Sequence, residues 1–538
     1  MPHPAVSRVT VREEIFMRLA RAAVSALFFI QAAAALAQAP PAGELAAKCA
    51  GFVSTDLSTT PDALLHITAT RTVEAAAGVP AHCRVSAYAQ PQIGMEMLLP
   101  KDWNGKFLQI GCGGFCGTAI VESCNNGLAR GYACIVSDMG HSSTALDGKW
   151  AYNNWDSRID FTHRATYVTA VAGKAIVRAY YGQAPRLSYF QGCSTGGRQA
   201  LQAAQRYPAA FDGIIAGAPV INWTGAGVQL LWSVRATLAD DGSALLTPAD
   251  AERVHAAALA ACDEDDGVKD GIIADPRQCR FDVASLGCKT RTGRGCLSAA
   301  QIDAVKRIYQ GPANSQGEAL YTGGALPGSE LNWIGNYIAR EPGPSTYERF
   351  MRDMFGYIAF ADSPGAAWRI QDFNFDTDPQ RLGVVEQMMT GSNPDLRAFR
   401  KRGGKLIVYQ GWADQSVVPL NVIDYVETVT RTMGGKAATD EFLRLFMVPG
   451  MGHCLGGPGA DTIDYLGALE RWVEAGEAPE RLLGAKLKQA APRSAPLSWP
   501  LDPANVAFSR PYFPYPDAAR YSGQGDVNDQ ANWQRVSP

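Results

Sequence analysis

LSYFQGCSTGGRQALQAAQRYP, residues 187–208, runs from an apolar strand-like segment through Gly192-Cys193-Ser194-Thr195-Gly196 into a segment with helical spacing. A serine held at such a sharp strand-to-helix turn is presented in a strained conformation, and glycines on both sides let strand and helix approach closely. A hydroxyl is a weak nucleophile at neutral pH, so an imidazole must take its proton and a carboxylate must orient that imidazole. Upstream, KFLQI (106–110) and YACIVS (132–137) read as buried strands, and Thr166–Tyr181 between 137 and 187 has helical periodicity. Strand, helix, strand in this order predicts a parallel α/β sheet with crossover helices.

Ser194 needs partners later in the chain, in the order serine, acid, histidine. Only His255 and His453 follow it. His255 lies in a helix-like stretch, AERVHAAALAA, and reads as a core or solvated histidine. His453 sits in Gly450-Met451-Gly452-His453-Cys454, just after the strand-like FLRLFMV, where a catalytic loop is expected. Asp414 ends another strand-like run, KLIVYQGWAD (405–414), and is the expected acid. For an oxyanion the expected donors are the Thr195 amide and one from Gly111-Cys112-Gly113-Gly114-Phe115-Cys116-Gly117, at Gly113 or Gly114. Cys193 adjoins the serine and Cys454 the histidine, so a bridge between them is expected to clamp the site.

The remaining composition bounds the setting. The chain has 538 residues, 47% hydrophobic and 19% charged, which suits a large globular core. Lys and Arg number 49 against 52 Asp and Glu, without a basic block, which argues against a nucleic-acid partner. Residues 22–37 form a short apolar run after Arg18 and Arg21 and end in Ala35-Leu36-Ala37, so residues 1–37 are expected to be a signal peptide cleaved after Ala37. Export to the periplasm or beyond the cell follows, with no stable membrane insertion. All 12 cysteines lie past that site, as disulfides in an oxidising compartment would. Zinc is disfavoured because Cys-x2-Cys pairs and a clustered His partner are both missing.

Gly-Cys-Ser-Thr-Gly-Gly-Arg at 192–198, Gly-Trp-Ala-Asp at 411–414 and Gly-His-Cys at 452–454 resemble the tannase and feruloyl esterase family, which includes the mono(hydroxyethyl) terephthalate hydrolases. The resemblance implies an α/β-hydrolase fold in two parts, 38–235 and 396–538, with a lid domain at 236–395 inserted between nucleophile and acid. It implies the triad Ser194, Asp414 and His453 with a Cys193–Cys454 bridge. Acids with interposed glycines at 262–272 suit a hard divalent cation. By resemblance, Ca²⁺ there is bound by Asp263, Asp266 and Asp270 side chains and the carbonyls of Val268 and Ile272, in a structural role, with Cys262 and Cys279 paired beside it. Cys49–Cys83 and Cys288–Cys296 are further pairs implied by the family. Cys112, Cys116, Cys124 and Cys134 have three possible pairings.

The expected activity is hydrolysis of small aromatic esters, feruloyl-type in preference to tannase or terephthalate monoester hydrolysis, through an acyl-enzyme and without organic cofactor. Trp333, Tyr337, Phe350, Phe355, Tyr357, Phe360 and Trp368 are candidate ring-stacking residues in the lid. Arg340, Arg349, Arg352 and Arg369 are candidates for holding a substrate carboxylate. The Pro-rich RPYFPYP at 510–516 reads as a surface wrap.

Overall fold

The computed structural model describes residues 42–289, 295–490 and 496–537, so the expected signal peptide lies outside the described residues. Residues 49–538 form one compact unit; in the other unit, residues 1–48, the described part is the opening of helix Ala42–Phe52. Among the described residues no helix is long and apolar enough to cross a membrane.

A nine-stranded sheet carries the fold. Its strands are β1 (Leu65–Val73), β2 (His82–Ala89), β3 (Ile93–Pro100), β4 (Lys106–Ile110), β5 (Ala133–Ser137), β6 (Leu187–Cys193), β7 (Gly213–Gly217), β8 (Lys405–Gly411) and β9 (Leu443–Val448). They lie in the order β1-β2-β3-β5-β4-β6-β7-β8-β9. The pairs among β1, β2, β3 and β5 are antiparallel, and every pair from β5 through β4 to β9 is parallel. β5 and β7 are buried along their whole length because helices cover both faces.

The two faces can be read from alternation along the strands. Phe107, Ile214, Leu406 and Val408 point into the larger core with residues such as Val168 and Ile176 of α1 (Ala165–Tyr181), Ala200 and Leu201 of α2 (Thr195–Arg206) and Val422 of α6 (Pro419–Thr432). Leu108, Ile215, Ile407 and Tyr409 point the other way, onto Leu466, Leu469 and Trp472 of α7 (Tyr465–Ala475). A period of two along each strand thus builds a three-layer α/β/α stack.

Between β7 and β8 the chain leaves the sheet for residues 218–404. This excursion includes α3 (Trp223–Ala236), α4 (Pro248–Cys262) and α5 (Thr346–Asp353), and adds no strand to the sheet among the described residues. Its first helix is α3, and its Trp223, Phe355 and Trp368 share the larger core with sheet residues.

After β9 the reading of 510–516 as a surface wrap needs correction. Val506–Tyr512 is β12, the edge of a three-stranded antiparallel sheet with β10 (Thr462–Ile463) and β11 (Leu482–Leu487). Arg510, Pro511 and Tyr512 are buried there. The tyrosine explains why: its hydroxyl donates to the Ala460 carbonyl at 3.0 Å, and its ring fills the smaller core. A two-stranded ribbon of β13 (Ala518–Tyr521) and β14 (Trp533–Val536) completes the chain.

Just past β5, the Asp138 carboxylate accepts the amides of Gly94 at 3.0 Å and Gly140 at 2.8 Å. Burial is the main cause that pushes it up to about 7, with nearby Asp160 adding to the rise. A folded pKa above the unfolded value means that Asp138 contributes most below the unfolded pKa of 3.8 and that this contribution is lost as pH rises through about 7. Asp138→Asn keeps an oxygen acceptor for both amides. It is therefore expected to raise Tm by a few degrees at pH 8, with the gain disappearing toward pH 4, as measured by differential scanning calorimetry.

Candidate active site

Ser194 follows the last residue of β6 with φ 63° and ψ −122°, a region a non-glycine residue enters only when its surroundings hold it there. The backbone does so: Ser194 N–H donates to the Gly217 carbonyl at 3.0 Å, while its own carbonyl accepts from Arg198 at 3.0 Å as α2 begins. A Cβ on Gly192 would lie 2.5 Å from the Gly196 carbonyl oxygen, so the turn closes only with glycine at this position. The expected elbow is what the structure contains.

Because β6, β7, β8 and β9 are parallel neighbours, their carboxyl ends share one rim. Asp414 follows β8 and is 1% exposed. Its Oδ1 accepts the amides of Ser416 at 2.7 Å and Val417 at 2.9 Å, and its Oδ2 accepts Gln410 Nε2 at 3.0 Å. Oδ2 also lies 2.9 Å from His453 Nδ1. The three protein donors fix the carboxylate, and the carboxylate in turn fixes the tautomer that presents His453 Nε2 as a base. Cys193 and Cys454 are bonded across 261 residues of sequence, tying the turn of Ser194 to the loop of His453.

Ser194, Thr195, His453 and Gly114 line one cavity of about 170 Å³. Trp223, Leu230, Tyr347, Phe350 and Met354 form much of its remaining wall. Gly114 lines the Ser194 cavity, while Gly113, beside it in the same turn, lines a separate pocket.

Of the seven candidate aromatics, Phe350 alone lines this cavity. Trp333, Phe355 and Phe360 are fully buried core, and the Tyr337 hydroxyl donates to the Gln415 carbonyl. Trp223 and Tyr347 were not among the expected cavity residues. Trp223 stands N-terminal to the expected lid, and Tyr347 is made part of the site by its hydroxyl contact with Ser416, a tertiary contact with no local sequence signal. None of the four candidate arginines lines the cavity; Arg352 pairs with Asp353 and Arg369 with Asp372. His255 is a buried side chain bonded to Glu330 Oε2 at 2.9 Å.

All 12 cysteines are paired. Cys49–Cys83, Cys262–Cys279 and Cys288–Cys296 form as the resemblance implied, and the open pairing resolves to Cys112–Cys116 and Cys124–Cys134.

At the acidic loop, Asp263 turns its carboxylate onto the amides of Asp270, Gly271 and Ile272. Asp266 is pushed up to about 6, first by burial and then by Asp270 and Asp263 against the opposing pull of Val268 and Arg510. Asp270 Oδ1 is buried without a partner, while its Oδ2 accepts Arg510 Nη2 at 2.7 Å. Among the described residues no three His, Cys, Asp or Glu side chains converge as a metal cluster. The all-oxygen donors and the orphaned Asp270 oxygen do fit a hard cation, with Arg510 supplying positive charge on the other side.

A three-layer fold with a predominantly parallel sheet, a strand-turn-helix serine and an acid-histidine pair on the same rim defines an α/β-hydrolase. The chain matches the family model described as tannase and feruloyl esterase over residues 77–536, and it belongs to that family. It is 37% identical over 500 residues to an uncharacterized esterase of Xanthomonas campestris pv. campestris, spanning 85% of this chain and 84% of that one. It is 33% identical over 536 residues to the mono(2-hydroxyethyl) terephthalate hydrolase of Piscinibacter sakaiensis, spanning 86% of each. The crystal structure of feruloyl esterase B from Aspergillus oryzae matches with a TM-score of 0.79 at 28% identity, covering 91% of this chain and 100% of that one. The protein is a carboxylic ester hydrolase.

Removing the long-range bridge tests how the site is held. Cys193→Ala with Cys454→Ala frees a loop whose closure is worth about 5 kcal/mol on the loop-entropy account. The double variant is expected to unfold at markedly lower urea concentration than the parent.

Proposed function

We propose that this protein is an exported serine esterase that cleaves esters of hydroxycinnamate-type aromatic acids. The observation that carries the reading is the Asp414–His453 hydrogen bond at 2.9 Å, with His453 and the positive-φ Ser194 lining one cavity. Ser194 attacks the ester carbonyl as His453 takes its proton. The amides of Thr195 and of the 113–114 turn hold the oxyanion, His453 protonates the leaving alcohol, and water releases the acid from the acyl-enzyme.

The cavity wall favours a neutral aromatic acyl group. Trp223, Tyr347 and Phe350 offer ring faces and edges, and among the described residues no arginine or lysine lines the cavity to meet a free carboxylate. The hydroxyls of Tyr347 and Ser416 meet at its edge, the polar point at which a phenol could be recognised. This favours a feruloyl-type substrate over a terephthalate monoester. In this reading residues 236–395 serve as the lid, and residues 1–37 direct export, which agrees with the wealth of disulfides.

Methyl ferulate, methyl gallate and mono(hydroxyethyl) terephthalate assayed side by side test the substrate. Methyl ferulate is expected to give the highest kcat/KM, and Ser194→Ala to lower kcat by roughly 10⁴-fold or more. An active Ser194→Ala enzyme would falsify the nucleophile, and a clear preference for the terephthalate monoester would overturn the substrate assignment.

We further propose that Ca²⁺ is held by Asp263, Asp266, Asp270 and the carbonyls of Val268 and Ile272, where it has a structural role. Chelation with EGTA is expected to lower Tm and restored Ca²⁺ to recover it, because a ligand bound only by the folded state adds stability by mass action. A Tm indifferent to both additions would overturn the Ca²⁺ assignment.

A further inference from the structure

The loop from Gly111 to Gly117 has glycine at four of its seven positions, which gives the unrestrained backbone great freedom. Oxyanion donors act only when already fixed where charge develops, so this freedom must be taken away. The structure removes it from several directions. The Cys112–Cys116 bond closes a ring across four residues of sequence, with Gly113, Gly114 and Phe115 inside it. Cys116 itself sits at φ 63° and Gly114 at φ 58°.

From α2, Gln199 is 1% exposed and reaches the ring: its Oε1 accepts the Cys112 amide at 3.3 Å, and its Nε2 lies 3.1 Å from Cys112 Sγ. Thr195 Oγ1 donates to the Gly114 carbonyl at 2.7 Å, linking the ring to the residue after the nucleophile. On the far side, the Phe115 amide donates to Ala145 at 2.9 Å, and buried His141 holds the Phe115 carbonyl through Nε2 at 2.8 Å. Burial lowers His141 to about 4, so the ring is neutral at working pH and its Nε2 proton is the donor. The Cys116 amide donates to the Gly113 carbonyl and the Gly117 amide to the Asp138 carbonyl, each at 3.0 Å, so every amide from 115 to 117 is bonded, and among the described residues the amides of Gly113 and Gly114 have no protein acceptor.

We infer that the Cys112–Cys116 bond and Gln199 are positioning elements that hold the Gly113–Gly114 amides ready to receive the oxyanion. The inference rests on Ser194 being the nucleophile. It assigns the short bond to the transition state, in contrast to Cys124–Cys134, which lies in the smaller core without lining the Ser194 cavity.

The test compares Cys112→Ala/Cys116→Ala with Cys124→Ala/Cys134→Ala, measuring kcat, KM and the affinity of an arylboronic acid, which forms a tetrahedral adduct with the active serine. Opening the 112–116 ring is expected to lower kcat at least tenfold, to leave KM within about twofold, and to weaken the boronate in step with kcat/KM. The second pair is expected to change Tm while kcat stays within about twofold. Gln199→Leu, with both bonds intact, is expected to repeat the kcat-selective loss and serves as the readout if the first double variant does not fold.

A folded Cys112→Ala/Cys116→Ala enzyme with unchanged kcat, or a Gln199→Leu enzyme whose loss is all in KM, overturns the inference. Ser194→Ala in the same assay separates the two levels. If it is inactive while the loop variants are normal, the inference alone fails; if it is active, the nucleophile assignment fails first.

Discussion

One covalent constraint organises the rim of the sheet. The Cys193–Cys454 bond joins the turn after β6 to the loop after β9, and between these strands lie β7 and β8, the second of which delivers Asp414. With the Asp414–His453 hydrogen bond added, three segments far apart in sequence are held by one bond of each kind. The parallel register makes this possible, because it brings every one of these strand ends to the same edge. The strained conformation of Ser194 is sustained by that frame rather than by its own sequence preference.

The excursion between β7 and β8 is joined to the same frame at named points. Tyr337 and Tyr347 bond Gln415 and Ser416, the two residues following the acid, and Phe350 stacks on Phe115 with centroids 4.1 Å apart. Cavity-lining Tyr347 and Phe350 therefore share contacts with both the Asp414 loop and the glycine loop. Gly227 of α3 also shapes this wall: a Cβ there would lie 2.2 Å from Met354 Cε, so a larger residue would make the end of the Met354 side chain move.

The parts of the fold that were legible in the sequence are those where local pattern and tertiary role coincide. KFLQI and LSYFQ are apolar runs bounded by glycine, and they are the strands β4 and β6. β1 was invisible because LHITATRTV is half exposed and carries its polar residues without a strong apolar run. β7, GIIAG, is too short and glycine-rich to stand out, although it lies beside β6, the strand that leads into Ser194. Ser194, Asp414 and His453 could be singled out because their chemistry demands a fixed order on strand ends. Aromatic density is a poorer guide, since Phe355 and Trp368 stack on each other in the core while Tyr347, which lines the Ser194 cavity, is placed by a hydroxyl contact with Ser416. The tail misled for a similar reason: its prolines suggested a surface wrap, yet Tyr512 is anchored to Ala460 in the smaller core.

If Ser194 is the nucleophile, the ester's acyl group must pass through it. Acid-quenched mixing of the enzyme with an aryl ferulate, followed by intact-mass and peptide mass spectrometry, tests it most directly. A transient feruloyl adduct is expected on the peptide containing Ser194, appearing with the burst of alcohol and disappearing as ferulate is released. Product formation without any adduct at early times, or an adduct mapped to another residue, would contradict it.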